Sequence, residues 1–260
     1  MSFLQCCFHS DCLGMAVGVN VIIPQGASSS QIGLGNADTG DKLPPVLYLL
    51  HGLSDDQTIW MRRTSIERYA AEHGVAVVMP CGNRSFYCNT ADGMRFYDYV
   101  SQELPDIVGR TFRVSRRRED TAIGGLSMGG YGALRIGLLN PQKYCAIAAF
   151  SSVIDASQVN SISHELFQAD FPEIAHGGVV EGTQYDLFHL SSRLAADKTA
   201  ARPKIFMACG EQDGFLDENR RFHAHLAEKG FDTKWHACAG AHNWAFWDDR
   251  IREALDWLPF

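Results

Sequence analysis

One stretch of the sequence, from Thr121 to Leu134, constrains the fold more than any other part of the chain. It begins with an apolar run typical of a buried strand, passes through Gly125-Leu126-Ser127-Met128-Gly129, and continues as a helix-like run that ends at Asn140-Pro141. A sharp turn between a strand and a helix needs small residues on both sides of its apex, because the two elements approach closely there. The pattern therefore predicts a strand, a strained turn that exposes the Ser127 hydroxyl, and a helix.

Length and charge bound the kind of protein that carries this turn. A chain of 260 residues can bury one sizeable core, so we predict a single domain over residues 1–260. The formal net charge of −7 disfavours a nucleic-acid surface, and Arg116-Arg117-Arg118 is interpreted as a solvated loop before a strand. No apolar run approaches the roughly 20 residues of a membrane span, and the N-terminus lacks the regions of a signal peptide. We therefore expect a cytoplasmic protein that binds neither nucleic acid nor membrane.

The eight cysteines favour neither a disulfide framework nor a zinc site, because no C-x-x-C pair occurs. Three of them lie inside apolar, strand-like runs, where a thiol behaves as a small apolar side chain. Cys6, Cys7 and Cys12 are either redox-reactive thiols or ordinary residues of an N-terminal strand.

Apolar strands alternate with helical segments along most of the chain. Loose alternation between Phe3 and Pro24 predicts two antiparallel strands at one edge of a sheet. The repeated strand–helix order after them predicts an α/β fold with a mostly parallel central sheet and helices on both faces. The predicted strands are 46–50, 75–80, the strand that begins at Thr121 and leads into the Ser127 turn, 145–152, 204–210 and 233–238. The predicted helices are 58–72, 96–112, 131–139, 218–229 and 247–257.

Three segments interrupt this alternation. Residues 25–41 are rich in Gly and Ser, which predicts an exposed loop without chemistry of its own. Residues 81–93 form a polar and aromatic segment on the rim of the sheet, which either lines a cleft or only makes turns. Residues 157–201 are an insertion between two core strands, either a rim or cap over the site or a plain structural excursion.

Three residues with complementary chemistry follow apolar strands in the order serine, acid, histidine. Ser127, Asp213 and His242 each come just after a strand, and the carboxyl ends of parallel strands meet at one edge of a sheet. A hydroxyl can attack an acyl carbon, an imidazole can take and return its proton, and a carboxylate can fix the imidazole tautomer. We predict that these residues form a catalytic triad.

Other side chains compete for the acid and base roles. Glu211 and Asp217 flank Asp213 and are alternative acids. His242 is favoured as the base because it follows a small Gly-Ala turn at the end of a strand. The competing histidines lie on a predicted helix or within a predicted strand: His223, His225 and His236.

A second glycine turn follows the strand 46–50, with the sequence His51-Gly52-Leu53. Backbone N–H groups at such a turn can stabilise the anionic oxygen of an acyl-transfer intermediate. We predict that the N–H groups of Leu53 and Met128 form this oxyanion hole. Gly52 or Ser54 would replace Leu53 if the turn were wound differently.

Together these residues resemble the esterase D-like branch of the α/β-hydrolases, which includes S-formylglutathione hydrolases, tributyrin-type acetyl esterases, feruloyl esterases and mycolyltransferases. The motifs span nearly the whole chain in the right order: 49–53 (LLHGL), 124–133 (GGLSMGGYGA), 209–213 (CGEQD) and 240–242 (GAH). The chain is most similar to the intracellular tributyrin-type esterases, which share Asp55-x-x-Thr58-x-Trp60 and His242-x-Trp244.

The resemblance implies a serine carboxylesterase that needs no cofactor or metal and hydrolyses short acyl esters through an acyl-enzyme on Ser127. It implies Trp60 and Trp244 as walls of the substrate pocket, although large aromatics are often core residues. A homo-oligomer, dimer or tetramer, is implied by the resemblance alone. Feruloyl esterase and S-formylglutathione hydrolase are the alternative activities. Formylglutathione hydrolases typically carry a Ser-Gly-Leu-Thr-Cys-Thr-like oxyanion loop, from which residues 51–56 (HGLSDD) depart.

Overall fold

A single eight-stranded sheet forms the centre of the computed structural model, which describes residues 1–25, 42–155 and 180–260. The strands are ordered β1-β2-β4-β3-β5-β6-β7-β8 across the sheet. Their bounds are β1 Ser2–Ser10, β2 Met15–Ile23, β3 Val46–Leu50, β4 Ala76–Pro80, β5 Thr121–Leu126, β6 Ala146–Phe150, β7 Lys204–Gly210 and β8 Thr233–Cys238.

The burial of the strands agrees with the direction in which each one pairs. β1 and β2 form an antiparallel hairpin, and β2 pairs antiparallel with β4. All other neighbours are parallel. β3, β4, β5 and β6 are buried along their whole length, as continuous apolar strands covered on both faces should be, whereas β1 exposes alternate residues. The predicted mostly parallel sheet with antiparallel N-terminal strands is confirmed.

Helices cover both faces of the sheet and bury one hydrophobic cluster on each face. One cluster includes Tyr99, Tyr131 and Phe222, and the other includes Trp60, Tyr69 and Ile251. A π-helical turn over Tyr99–Glu103 joins the helix Phe96–Asp98 to the helix Leu104–Thr111. The helices are α1 Ile59–Arg63, α2 Ile66–His73, α3 Phe96–Asp98, α4 Leu104–Thr111, α5 Met128–Leu139, α6 Leu187–Ala196, α7 Leu216–Glu228 and α8 Trp244–Trp257.

Several helices differ from the sequence prediction: the helix predicted at 131–139 begins earlier, at Met128, and the helix predicted at 96–112 contains the π-helical turn. Side-chain hydrogen bonds explain two further differences. The predicted helix 58–72 is broken into α1 and α2, because Thr64 has an extended backbone and its hydroxyl donates to the Trp60 carbonyl at 2.6 Å. The next backbone N–H, that of Ser65, donates to Asp248 at 3.0 Å instead of continuing the helix. The last helix starts at Trp244 rather than at 247, because the Asn243 side chain caps it by accepting from the Phe246 N–H.

The insertion at 157–201 is described only from residue 180 onward. There it contains helix α6, which packs through Phe188 against Phe222 of α7. Residues 156–179 lie outside the described residues, so the proposed cover of the site stays a prediction. Most of the predicted loop at 25–41 lies outside them as well. No helix in the described ranges is long and apolar enough to cross a membrane.

The three consecutive arginines precede β5, at the opposite end of that strand from Ser127. Arg116 forms an ion pair with Asp106 at 3.2 Å. Arg118 donates to the backbone carbonyls of Pro141 and Arg202, at 2.7 and 3.2 Å. Local partners thus engage these guanidinium groups.

Candidate active site

Ser127 lies at the apex of the turn between β5 and α5, with φ 53° and ψ −118°. This left-handed conformation is rare for a residue with a side chain and marks a strained turn. The flanking glycines are required by close backbone contacts. A Cβ on Gly125 would lie 2.5 Å from the Gly129 carbonyl oxygen, and a Cβ on Gly129 would lie 2.6 Å from the carbonyl oxygens of Leu50 and His51.

The structure brings Ser127, His242 and Asp213 into one hydrogen-bonded line. Nε2 of His242 is 3.1 Å from Oγ of Ser127, and Nδ1 of His242 is 2.9 Å from Oδ2 of Asp213. The Asp213 side chain is fully buried, whereas the His242 side chain is 34% exposed. The rings of Phe215 and Trp247 pack against the imidazole, with centroids 5.2 and 4.9 Å away. The imidazole is thus held between the hydroxyl and the carboxylate while it keeps access to a ligand.

Hydrogen bonds keep the buried carboxylate of Asp213 ionised. Burial alone would raise its pKa, but the hydrogen bond from His242 and the Phe215 N–H at 2.9 Å hold the pKa below the ordinary value. Asp213 therefore accepts a hydrogen bond from the Nδ1–H group of His242, which leaves Nε2 of a neutral imidazole free to accept a hydrogen bond from Ser127.

Ser151 and Trp247 support this carboxylate, and the sequence reasoning did not identify either of them. Nε1 of Trp247 donates to Oγ of Ser151 at 3.1 Å, and the Ser151 hydroxyl also hydrogen-bonds Asp213. Because an indole N–H only donates, the Ser151 proton is directed at the carboxylate. Ser151 is fully buried and has φ 45°, a second strained serine, at the end of the strand adjacent to β5. Its position directly after β6 was the available sequence signal.

A glutamine joins the loop of the acid to the loop of the histidine. Oε1 of Gln212 accepts from the Gly240 N–H at 2.8 Å, and the Gln212 N–H donates to the Gly240 carbonyl at 2.9 Å. These paired bonds fix Asp213 and His242 relative to each other. The role of Gln212 was also missed, because it depends on the pairing of β7 with β8.

The turn after β3 is fixed by His51, which is buried. Its Nε2 accepts from the Gly82 N–H at 2.8 Å, so the ring proton is on Nδ1 and donates to the Gly52 carbonyl at 2.7 Å. Burial lowers the pKa of His51 to about 4, which keeps this tautomer neutral. The Tyr87 hydroxyl donates to the His51 carbonyl at 2.9 Å.

Leu53 lies on the turn after β3 and Met128 lies at the start of α5, and both residues border the same cavity. Among the described residues, no backbone carbonyl accepts a hydrogen bond from the backbone N–H of either residue. Met128 is the first residue of α5, where the partial positive charge of a helix N-terminus adds to the field of its N–H. Both donors are therefore free to bind an oxygen of a ligand.

A cavity of about 440 Å³ opens over Ser127 and His242. Its walls are mainly apolar and aromatic, as is usual for small-molecule sites. From the segment 81–93, Phe86 reaches it. The described residues that line it are Gly52, Leu53, Ser54, Asp55, Phe86, Leu126, Ser127, Met128, Val153, Phe215, His242, Asn243, Trp244 and Trp247.

The two tryptophans implied by the resemblance occupy different positions. Trp244 lines the cavity. Trp60 is not among the described residues that line it: it is 1% exposed, and its Nε1 donates to the Leu50 carbonyl at 3.0 Å. The Trp60 ring meets the Trp244 ring edge-on, with centroids 5.2 Å apart. Trp60 is therefore a core residue that supports Trp244, and not a wall of the pocket.

The competing acids and histidines are exposed or have other partners. Asp217 is exposed and pairs with Arg220 at 3.3 Å, and Glu211 is exposed. The three other histidines named above contact Thr233, Ser191 and Glu253 respectively. Within the described part of the chain, no hydrogen bond or ion pair joins any of these five side chains to Ser127, and the geometry favours Asp213 and His242.

Comparisons with known proteins agree with this geometry. The family model described as "Putative esterase" matches residues 16–258. An acetyl esterase of Caldicellulosiruptor saccharolyticus is 30% identical over 268 residues, which cover 99% of this chain and 98% of that protein.

Two solved structures from Staphylococcus aureus are similar over all of this chain. FphF, a fluorophosphonate-binding serine hydrolase with bound substrate, is 34% identical with a TM-score of 0.89 over 98% of its chain. The S-formylglutathione hydrolase FrmB, as apoenzyme, is 34% identical with a TM-score of 0.86 over 99% of its chain. The chain therefore belongs to the Esterase family and is a serine hydrolase with the α/β-hydrolase fold, in the esterase D-like branch.

Proposed function

We propose that this serine esterase hydrolyses short-chain acyl esters, of the acetyl and butyryl type, through an acyl-enzyme on Ser127. The observation that carries the proposal is the line of contacts from Ser127 to His242 to Asp213, at 3.1 and 2.9 Å, at the floor of an apolar cavity. The identity to an acetyl esterase over nearly the whole chain supports the acyl class.

In the proposed mechanism, the Ser127 hydroxyl attacks the ester carbonyl while Nε2 of His242 takes its proton. Asp213 holds the imidazole and stabilises its cation. The N–H groups of Leu53 and Met128 bind the oxyanion, and removal of one such donor typically costs about 3 to 4 kcal/mol. His242 returns the proton to the leaving alcohol. A water molecule then attacks the acyl-enzyme while His242 takes its proton, and His242 returns this proton to Ser127 as the acid leaves.

The size of the cavity supports a short acyl group. A volume of about 440 Å³ has to hold both the acyl chain and the leaving group beside Ser127. The rings of Phe86, Phe215 and Trp244 among its walls offer apolar contact but limit its length.

A series of 4-nitrophenyl esters from acetyl to octanoyl tests the proposed acyl class. We expect the highest kcat/KM at acetyl or butyryl and a fall of about tenfold or more by octanoyl, because each unaccommodated methylene weakens transition-state binding. Release of 4-nitrophenol measures the rates. A maximum at octanoyl would contradict the short-chain assignment, and the assignment of Ser127 as the nucleophile would be unaffected.

S-formylglutathione hydrolysis is the second candidate, favoured by the 34% identity to FrmB over the whole chain. Both candidates use the same nucleophile and differ in the leaving group. Turnover of S-formylglutathione against 4-nitrophenyl acetate decides between them. A kcat/KM for the thioester far above that of every simple ester would replace the first proposal with the second.

Gly129→Ala is expected to damage the proposed oxyanion hole. The new Cβ would lie 2.6 Å from two backbone carbonyl oxygens, those of Leu50 and His51, so the turn that carries Leu53 has to move. We expect kcat to fall about 100-fold or more, and the free energy of unfolding to fall by about 1 to 3 kcal/mol. Ester hydrolysis and thermal unfolding measure the two effects.

Gly214→Ala is the matched control, because a Cβ there meets nothing within 4 Å. It should keep the activity and the melting temperature of the parent. A Gly129→Ala variant with unchanged kcat would mean that this contact does not set the geometry of the turn.

A further inference from the structure

Asp55 is a carboxylate in the wall of the cavity that the proposed mechanism does not use. It ends the tight turn after His51, where its N–H donates to the Gly52 carbonyl at 3.3 Å. A Cβ placed on Gly52 would lie 3.6 Å from Oδ2 of Asp55 and 3.7 Å from Cβ of Ser127. The same point in space is thus close to both side chains. The distance from Oδ2 of Asp55 to Cβ of Ser127 therefore cannot exceed the sum of these two distances.

Within the described residues, the Asp55 side chain has no hydrogen bond or ion pair. The positive charges that act on it are those of Arg63 and Arg62 of α1, which are exposed and do not line the cavity. The adjacent carboxylate of Asp56 is exposed and accepts from the N–H and hydroxyl of Thr58, at 2.8 and 2.6 Å. Asp55 alone of the pair thus presents its charge to a ligand.

No Lys or Arg compensates this charge inside the cavity. Among the described lining residues, Asp55 is the one carboxylate, and neither Lys nor Arg occurs. The segments 26–41 and 156–179 contain no Lys or Arg in their sequences. Neither segment can therefore add such a cation, wherever it lies.

The carboxylate is charged under ordinary assay conditions. Burial, and then the neighbouring Asp56, raise the pKa of Asp55 to about 6, while Arg63 and Arg62 oppose the shift. Above that pH a substrate near Ser127 meets a half-buried negative charge, which solvent screens less than a charge on the open surface.

We propose that Asp55 is a specificity-determining residue that selects neutral or cationic esters with hydrogen-bond donors, and rejects esters whose leaving group is anionic. The inference rests on the proposed esterase reaction at Ser127. The rejected class includes thioesters of peptides such as glutathione, which carries two carboxylates and one ammonium group. Repulsion between the Asp55 carboxylate and an anionic leaving group in the same cavity corresponds to about a tenfold decrease in kcat/KM.

Three acetyl esters with related leaving groups test the proposal at about pH 8. They are neutral 4-nitrophenyl acetate, anionic 3-carboxy-4-nitrophenyl acetate and cationic 4-acetoxy-N,N,N-trimethylanilinium. Each kcat/KM is divided by the rate constant of hydroxide hydrolysis, which removes the difference in intrinsic reactivity. For the parent protein we expect the anionic ester to be disfavoured about tenfold against the neutral ester, and the cationic ester to equal or exceed the neutral one.

Asp55→Asn should bring the anionic-to-neutral ratio close to one, because the amide has nearly the same shape without the charge. Asp56→Asn is the matched control and should keep the parent ratio, since its charge lies outside the cavity wall. If Asp55→Asn does not fold, Asp55→Ser carries the same expectation.

The outcomes separate the two proposals. A ratio that is unchanged in the Asp55 variant, or changed equally in the Asp56 variant, overturns the role of Asp55. Absence of Ser127-dependent hydrolysis of the neutral ester overturns the proposed function instead.

Discussion

Ser127→Ala is expected to lower kcat by about a million-fold, the size of effect seen when the nucleophile of a serine hydrolase is removed. The hydroxyl at 3.1 Å from Nε2 of His242 has no substitute among the described residues that line the cavity, because Ser54 is not hydrogen-bonded to that imidazole. Hydrolysis of 4-nitrophenyl acetate measures the loss. Residual catalysis of about 10³ over water should remain, since the proposed oxyanion donors are backbone groups that the substitution leaves in place.

Ser127→Gly provides the control for folding. Glycine tolerates φ 53° without strain, so this variant should unfold at the same temperature as the parent or higher, while it remains inactive. Both variants should lose covalent labelling by a fluorophosphonate. A variant at position 127 that keeps a few per cent of the parent activity would mean that another residue is the nucleophile.

Asp213→Asn is expected to lower kcat by about 10⁴, as in the corresponding change in other catalytic triads. The structure gives the reason. The Phe215 N–H, at 2.9 Å from Oδ1, requires an oxygen at that position, so the amide NH₂ would face His242. Nδ1 of His242 would then have to accept, its proton would move to Nε2, and the imidazole could no longer take the proton of Ser127.

Asp217→Asn is the matched control. Asp217 lies at the start of α7, close to Asp213 in sequence, and its side chain is 94% exposed. It should hydrolyse esters at the rate of the parent protein. The KM of Asp213→Asn should change little, because Asp213 does not line the cavity. A fall in kcat of less than tenfold in Asp213→Asn would contradict the assigned orientation of the imidazole.

The triad could be predicted from the sequence because its geometry depends on a simple property of the fold. Ser127 directly follows β5, Asp213 and His242 lie a few residues after β7 and β8, and parallel strands place their carboxyl ends together. The proposed oxyanion turn follows β3 and was predicted on the same grounds. Local pattern and strand direction together led to both predictions.

Contacts between distant elements were not predictable in this way. Ser151 acts on Asp213 only because β6 lies between β5 and β7, and Trp247 reaches it from the last helix. The resemblance implied Trp60 as a wall of the pocket, yet the packing of α1 buries its ring against that of Trp244. The break between α1 and α2 depends on a bond to Asp248, which lies 183 residues from Ser65.

The separation of the proposed nucleophile and base along the chain also has a consequence for folding. Ser127 and His242 are 115 residues apart, and their contact requires β6, β7 and β8 to have joined β5 in register. Such non-local contacts have a high entropic cost and form slowly. In a refolding experiment, recovered ester hydrolysis is therefore a direct reporter that the C-terminal part of the sheet has assembled.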